Sequence, residues 1–502
     1  MTTRGPGHCR PSNGHEYYHA VPQSPLAPNP VALSESLTES LVLDPENEEE
    51  VVEETALAIE VTPATRWVYF VFGCAVLLPW NAMITATPYF LAQLEGSSLQ
   101  RVFPSYMSLI FTATNFGFLA HATATTKQAS PSRRVFLGAA TLAVTAFLLT
   151  VSTFTHPPAA LFFIFVQVIG IVSSGAGSYY QTAVFAVASL FGAPAMQAVV
   201  SGQAAIGVAV SAIQLLSALA SVNTAAAPAV MMEERAAEAR SAFVFFALST
   251  LFYIFSAGAY VWLMRTPAYV EMMDGRRSRR ISLSMSQSST ADDEGAGLVS
   301  GRSRDTPSSP VARMISMIKT NLPFNFAVAW VFVVTLSVFP PITVSVLPMD
   351  PTTSRLIFGS IHFLVYNVGD FSGRLICSWP PLVIWSGRRL VILSLLRTLF
   401  IPAFLLCNVQ SPLSPDVHQP VFSSDWVFML ILLAFGWSNG YVSTLGMIAS
   451  ASLEHNPRLK GRREDVDLAA TVASFCLVGG LTVGSLISFA VSGVLCQCNP
   501  FS

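Results

Sequence analysis

Residues 354–378 read SRLIFGSIHFLVYNVGDFSGRLICS. The run is long enough to cross a bilayer, which takes roughly 20 mostly apolar residues, yet Asp370 and Arg374 lie inside it. Charges at that depth are costly and therefore informative. The two are four residues apart and share one helical face. Asn367 and Phe363 extend the same stripe one and two turns earlier. Such a stripe is untenable against lipid, so it faces the interior of a helical bundle. Spacing alone leaves two compatible roles open. One is a structural ion pair that locks helices together; the other is a substrate site whose carboxylate and guanidinium meet hydroxyls or ring nitrogens.

The rest of the chain explains the membrane setting. Of 502 residues, 52% are hydrophobic and 11% charged, whereas a soluble domain is about a quarter charged. Most of the polypeptide must face lipid. Apolar runs occur near 66–92, 104–126, 134–154, 158–185, 195–222, 241–264, 322–347, 354–378, 389–408, 425–450 and 466–496, predicting eleven spans. The connections after spans two, six, eight and ten hold eighteen Lys and Arg residues, among them Lys127, Arg134, Arg276, Arg389 and Arg458. The opposite connections hold only Arg101, Arg235, Arg240 and Arg355. By the positive-inside rule the N-terminus is cytoplasmic and, with an odd span count, the C-terminus is extracellular.

The predicted organisation is a disordered cytoplasmic tail over 1–62, a six-helix bundle over 63–264, a basic and Ser-rich cytoplasmic loop over 265–320, a five-helix bundle over 321–496, and a short tail over 497–502. The tail ends in the acidic run Glu46 to Glu54, read as a solvated spacer. In the loop, Arg279-Arg280-Ile281-Ser282 makes Ser282 a phosphorylation candidate, against the blander reading of a solvated basic linker; its charge also suits anionic lipid. A six-plus-five division around a central pathway is the plan of a rocker-switch transporter.

Several function classes are excluded. The net charge of −2 gives no reason to expect nucleic-acid binding. The seven cysteines have neither a disulfide framework nor zinc-ligand spacing. There is no His-Glu-x-x-His, phosphate loop or nucleophile elbow, so we expect no enzyme, no ATP-driven pump, no metal and no cofactor.

Other polar residues sit where apolar ones are cheaper. Leu77, Trp80, Asn81 and Ile84 share a face of span one just after Pro79, which disturbs the helix. An indole beside an amide suits a flat heteroaromatic ligand; the alternative is an interfacial anchor. Gln181 and Gln203 are as readily helix-to-helix glue as ligands. Arg397 lies about 12 Å inside Arg389 at 1.5 Å per residue and is read as structural. His121 and His362 are candidates for proton relay or for plain packing.

These residues resemble the equilibrative nucleoside transporter family. Leu77-Leu78-Pro79-Trp80-Asn81 with Thr85-Ala86 and Tyr89-Phe90 is similar to its first-helix signature, and Ser201-Gly202-Gln203 with Gly207 to its fifth. Phe339-Pro340 with Thr343-Val344 is similar to the seventh, Asn367, Asp370, Gly373 and Arg374 to the eighth, and Arg397, Phe400, Pro402 and Cys407-Asn408 to the ninth. Ser438-Asn439-Gly440-Tyr441 is similar to the tenth. Six motifs in order, over most of 66–495, are specific.

The resemblance implies a fold like that of the major facilitators and a central cavity of Leu77, Trp80, Asn81, Ile84, Gln181, Asn367, Asp370, Arg374 and Leu481. In it Gln181 would bind the base, and Asp370 and Arg374 the sugar hydroxyls. Gln203, Arg397 and Asn439 are structural or gating candidates. A neutral residue at Gln203, where cation-carrying members have an acid, favours nucleosides. Ile84 departs from a common Met.

The expected function is alternating-access transport of nucleosides or nucleobases down their gradient across the plasma membrane, an internal membrane being the second choice. Coupling to protons through Asp370 or a histidine is the open variant. Rivals are transport of a sugar or monoamine on the same architecture, and a non-transporting receptor.

Overall fold

The computed structural model describes residues 61–224, 230–275, 278, 309–339, 342–350, 353–409, 420–460 and 462–496. The predicted N-terminal tail up to residue 60, Ser282 with most of its loop, Pro340, and the C-terminal tail lie outside them. Described residues are almost all helical, and they belong to one compact unit.

The described residues open on α1 (Pro63–Thr85), started by Thr62, whose hydroxyl accepts from the Thr65 amide. There follow α2 (Thr87–Gln93), α3 (Leu99–Ala124), α4 (Pro131–Ser152), α5 (Ala159–Leu190), α6 (Ala193–Thr224) and α7 (Val230–Met264). After the central loop come α8 (Pro310–Thr320), α9 (Leu322–Val338), α10 (Arg355–Ile376), α11 (Gly387–Leu396), α12 (Phe400–Leu405), α13 (Asp425–Ser450) and α14 (Val466–Cys496). A 3-10 turn at Arg397–Leu399 joins α11 to α12. The reversal from α5 to α6 is made by Gly192, at φ +81°, a conformation that costs residues with a Cβ.

Seven of these helices are long and apolar enough to cross a membrane, and an eighth span is the pair α8–α9 if its 87° bend is counted as one unit. The other three predicted spans are helical too, but polar or broken. The third helix carries Arg101, Asn115 and His121; α10 carries Asp370 and Arg374; span nine is divided into α11, a 3-10 turn and α12. One boundary is corrected and one segment gains structure. The end of the predicted 265–320 loop is helical, over Pro310–Thr320. Span seven stops at Val338 rather than near 347, just before Pro340 and Pro341 in the sequence, which cannot donate to a helix.

One packing pattern occurs twice. The helix α1 packs along α6, and α3 along α5; correspondingly α9 packs along α14, and α10 along α13. Glycines make the closest of these seams. A Cβ on Gly73 would overlap the Val199 carbonyl, and one on Gly202 that of Phe70, so α1 and α6 meet backbone to backbone. Gly480 does the same for α14 against Ala329 of α9. Between α10 and α13 the contact is reciprocal: Gly369 and Gly373 press on the Leu433 and Trp437 carbonyls, Gly436 and Gly440 on those of Tyr366 and Asp370. Lipid tails are as apolar as leucine, so helices in a membrane associate through this close packing rather than through hydrophobicity.

The reciprocal seam is testable. Gly440→Ala should force the Asp370 carbonyl away and destabilise the protein by about 1–3 kcal/mol. Gly117→Ala on α3, with no atom within 4 Å of the added carbon, should be neutral. Thermal unfolding followed by size-exclusion chromatography would compare the two; equal melting temperatures would contradict the packing described.

Candidate functional site

The buried charges are organised around α10. Arg374 Nε donates to Asp370 Oδ2 at 2.9 Å. The other carboxylate oxygen accepts from Asn439 Nδ2 of α13 at 2.6 Å. Behind Asn439 lies Arg397, only 2% exposed, whose Nη2 donates to Thr335 Oγ1 at 2.9 Å and to Asn439 Oδ1 at 3.4 Å. Its Nη1 donates to the Phe435 carbonyl at 2.9 Å and to the Ser438 hydroxyl, and the guanidinium lies over the Phe435 ring. One carboxylate and two guanidiniums thus share a network across α9, the 3-10 turn, α10 and α13.

The network does not stop within this set of helices. Arg374 Nη1 donates to the Val200 carbonyl of α6 at 2.9 Å, and Gln197 Nε2 returns a bond to the Arg374 carbonyl at 3.3 Å. Further along the same seam Asn367 Nδ2 donates to Ser211 Oγ at 2.7 Å. A Cβ on Gly207 would come within 2.6 Å of the Asn367 amide oxygen, so the small residue admits the amide. Asp370 and Arg374 are 5% and 6% exposed. In this conformation they are buried at the α6–α10 seam.

A second seam joins α14 to α3 and α5. Gln181 Nε2 donates to Ser474 Oγ at 2.7 Å, Phe116 stacks on Phe475, and Lys127 Nζ lies 2.8 Å from Asp467 and 3.9 Å from Asp465. Both seams run from the end where α3, α5 and α10 finish and α6 and α14 begin. That end carries Lys127, Arg134, Arg389 and Arg458. Gln181 and Ser474 are nine and eight residues from their helix ends there, about 13 Å deep at 1.5 Å per residue. The seams therefore occupy the basic half of the bundle.

The remaining predicted site residues lie beyond that closure. Leu77, Trp80, Asn81 and Ile84 form the less buried face of α1, while Leu78, Pro79, Ala82 and Met83 are packed. Trp80 lies against Phe111 of α3, and Asn81 Nδ2 donates to the Leu77 carbonyl of its own helix. Leu481 is half-buried on α14. No hydrogen bond among the described residues joins the α1 residues to the Asp370 carboxylate, whose partners are Arg374 and Asn439. A small cavity between Pro79, Met83, Thr145, Ser249 and Tyr253 contains none of the predicted substrate residues.

The gating candidates divide. Asn439 and Arg397 are members of the network, and Gln203 is buried on α6. His121 Nδ1 lies 2.8 Å from the Tyr179 hydroxyl. His362 is enclosed by Phe339, Phe363 and Phe428, with neither nitrogen in normal hydrogen-bond geometry. Sequence reasoning missed Gln197, Ser211, Ser474 and the Lys127–Asp467 pair. Asp467 was the readable signal, an acid at the threshold of an apolar span on the basic end.

A profile of the nucleoside transporter family matches residues 166–492. Equilibrative nucleoside transporter 1 of Mus musculus is 27% identical over 480 residues, covering 85% of this chain and 96% of its own. Equilibrative nucleoside transporter 3 of Rattus norvegicus is 26% identical over 441 residues, covering 83% and 86%. Among solved structures, the E. coli fucose:proton symporter FucP aligns over 86% of this chain and 93% of its own, with 12% identity and a TM-score of 0.49. Sequence motifs, family profile and near-full-length relatives agree, and the chain belongs to the equilibrative nucleoside transporter family.

Proposed function

We propose that this multi-pass membrane protein carries nucleosides or nucleobases down their gradient by alternating access between two bundles, α1–α7 and α9–α14, that together contribute six and five spans. Family membership supports the substrate class, and the recurring helix pairing supports two bundles. Lys and Arg counts support a cytoplasmic N-terminus and an extracellular C-terminus, with the plasma membrane as location. The reading makes the protein a transporter rather than an enzyme.

The observation that carries the mechanism is the Arg374–Val200 bond. A nucleoside cannot cross hydrocarbon with its polar groups unpaired, so a site must replace water's hydrogen bonds. In this conformation the cytoplasmic half is shut by the α6–α10 and α3/α5–α14 seams. Leu77, Trp80, Asn81, Ile84 and Leu481 then line the extracellular side of the closure, with Gln181, Asn367, Asp370 and Arg374 at its floor. Sugar hydroxyls reaching Arg374 compete with the Val200 carbonyl, and a base reaching Gln181 competes with Ser474. Substrate therefore weakens both seams where it binds, which is the differential interaction that a ligand-driven conformational change requires. Proton coupling has no comparable support: Asp370 is held by two donors, and His362 is enclosed by rings. Uptake in this reading is independent of external pH.

Two expectations follow from the seams. Asp370→Asn and Arg374→Ala should each reduce uridine and adenosine uptake by about tenfold or more, since a buried ionic hydrogen bond contributes ~1.5–3 kcal/mol. Surface labelling should confirm that both variants reach the membrane. Uptake at normal rates with either change would refute the assigned site. Asp467→Asn should weaken the latch on Lys127 and open the cytoplasmic end more often, so Cys476, half-buried on α14, should react severalfold faster with a membrane-permeant maleimide. Unchanged labelling would show that the ion pair does not hold the closure.

A further inference from the structure

The helix α8 is not a membrane span. It meets α9 at 87°, and that corner is fixed rather than hinged. Asn321, fully buried at the bend, donates to the Ser450 carbonyl and accepts from Asn456 Nδ2 at 2.9 and 3.0 Å. Asn325 Nδ2 reaches back to the Ile318 carbonyl at 3.2 Å, and Arg458 Nη1 donates to the Thr320 carbonyl at 3.1 Å. With α9 read as the crossing segment of span seven, a right-angled neighbour is placed along the membrane surface.

Its sequence, PVARMISMIKT, contains no acid. At roughly 100° per residue its sides separate cleanly. Met314 and Met317 point inward and are buried against Leu459, Leu468 and Val472, with Ala124 of α3 packed on the same cluster. The helix thus touches one bundle through α14 and the other through α3, at the end closed by Lys127 and Asp467. The adjacent flank is Val311 and Ile315, continued by Leu322, which are 56%, 46% and 56% exposed. Lys319 comes next around the helix, followed by Ser316, Thr320 and Arg313. Apolar flank, cation, then polar side is the order met when a helix lies at the level of lipid headgroups.

We propose that α8 is a strap across the two bundles whose outer flank lies in the cytoplasmic leaflet, and that anionic phospholipid headgroups bound by Lys319, the cation bordering that flank, keep it docked and the cytoplasmic end closed. The complementarity of charge selects the lipid, since that leaflet is anionic and each basic residue near it adds to the attraction. Lipid composition is thereby linked to the conformational equilibrium. The inference rests on the alternating-access reading for its functional meaning, while the docking itself is read without transport. Cys476 packs on the same cluster as Met314 and Met317, so its reactivity reports whether the strap is seated.

The test uses the full chain in phosphatidylcholine vesicles with and without about 30% phosphatidylserine, a strongly anionic surface. Maleimide modification of Cys476 is followed by mass spectrometry. We expect about fivefold slower modification with phosphatidylserine, loss of that difference in a double variant of Lys319→Gln with Arg313→Gln, and the same loss in Lys319→Gln alone, with Arg313→Gln alone retaining it. Ile315→Asp should give fast modification in both lipids while unfolding at an unchanged temperature. A wild-type rate independent of lipid, or a lipid effect that survives in the double variant, overturns the proposal. So does protection by inorganic phosphate in pure phosphatidylcholine, which would mean a soluble anion site. Uridine uptake by the same vesicles is scored separately. Absent uptake with the lipid effect intact would cost the transport reading and leave the strap standing.

Discussion

A carboxylate and two guanidiniums cannot be taken out of water unless nearly all their hydrogen-bonding capacity is met by protein. Here most of that capacity is met by helices that must first be brought together, although the buried Arg397 Nε has no hydrogen-bond partner. Arg397 draws its acceptors from α9 and α13, and Asn439 passes its amide between that arginine's neighbourhood and Asp370. The two ends of the network differ in kind. Around Arg397 every partner belongs to the same bundle, so this end is static. Arg374 takes one acceptor from its own helix and one from α6, so only this end can change partners. A fixed charge cluster thus presents one exchangeable bond at the seam where movement is needed.

The contrast between seams follows the same logic. Within a bundle, glycines put backbone against backbone, as Gly73 and Gly202 do between α1 and α6 or Gly373 and Gly440 between α10 and α13. Such contacts have no slack and no alternative register, which suits each bundle to the rigid-body role proposed for it. Between bundles the polar contacts are hydrogen bonds, a ring stack and the Lys127 ion pairs, set beside a buried apolar cluster to which both halves contribute, Tyr180 and Val184 from one and Val442 and Ala473 from the other. Polar contacts of this sort can be exchanged for water or for a ligand. Rigidity lies inside the halves, and reversibility between them.

Much of this was legible in the sequence, for a physical reason. Hydrocarbon imposes length and composition on a span, and the basic connections alternate, so the order of helices can be counted. The Asp370–Arg374 stripe is visible because charge in an apolar run has few explanations. Arg397 was marked for the same reason, and Asn439 through its place in a family motif. What escaped was anything set by partners far away in sequence. Neither Ser474 nor Val200 is unusual locally; they matter because Gln181 and Arg374 reach them. The burial of the ion pair was missed because spacing identifies a helix face but not whether water stands before it in a given conformation. The strap was read as loop since eleven residues are too few for a span, and Val311, Ile315 and Met317 look unremarkable beside the basic segment before them.

A gate of this kind has to be weak, and the contacts described here suit that demand. Neutral hydrogen bonds contribute about 0.5–1.5 kcal/mol each in net terms, and one to a charged group about 1.5–3. Three neutral bonds (Gln197–Arg374, Asn367–Ser211 and Gln181–Ser474) and the charged Arg374–Val200 bond therefore total several kcal/mol, beside the Lys127 pair with the buried Asp467. Shifting a two-state equilibrium from one side to the other takes about 5.5 kcal/mol of differential affinity. A nucleoside that replaces even half of these contacts from its own hydroxyls and base supplies an energy of that order. Glycine seams of the kind found within each bundle would resist any ligand of this size. The polar part of the seams between the bundles is therefore made of groups a nucleoside can imitate, while the seams within each bundle are built from backbone it cannot reach.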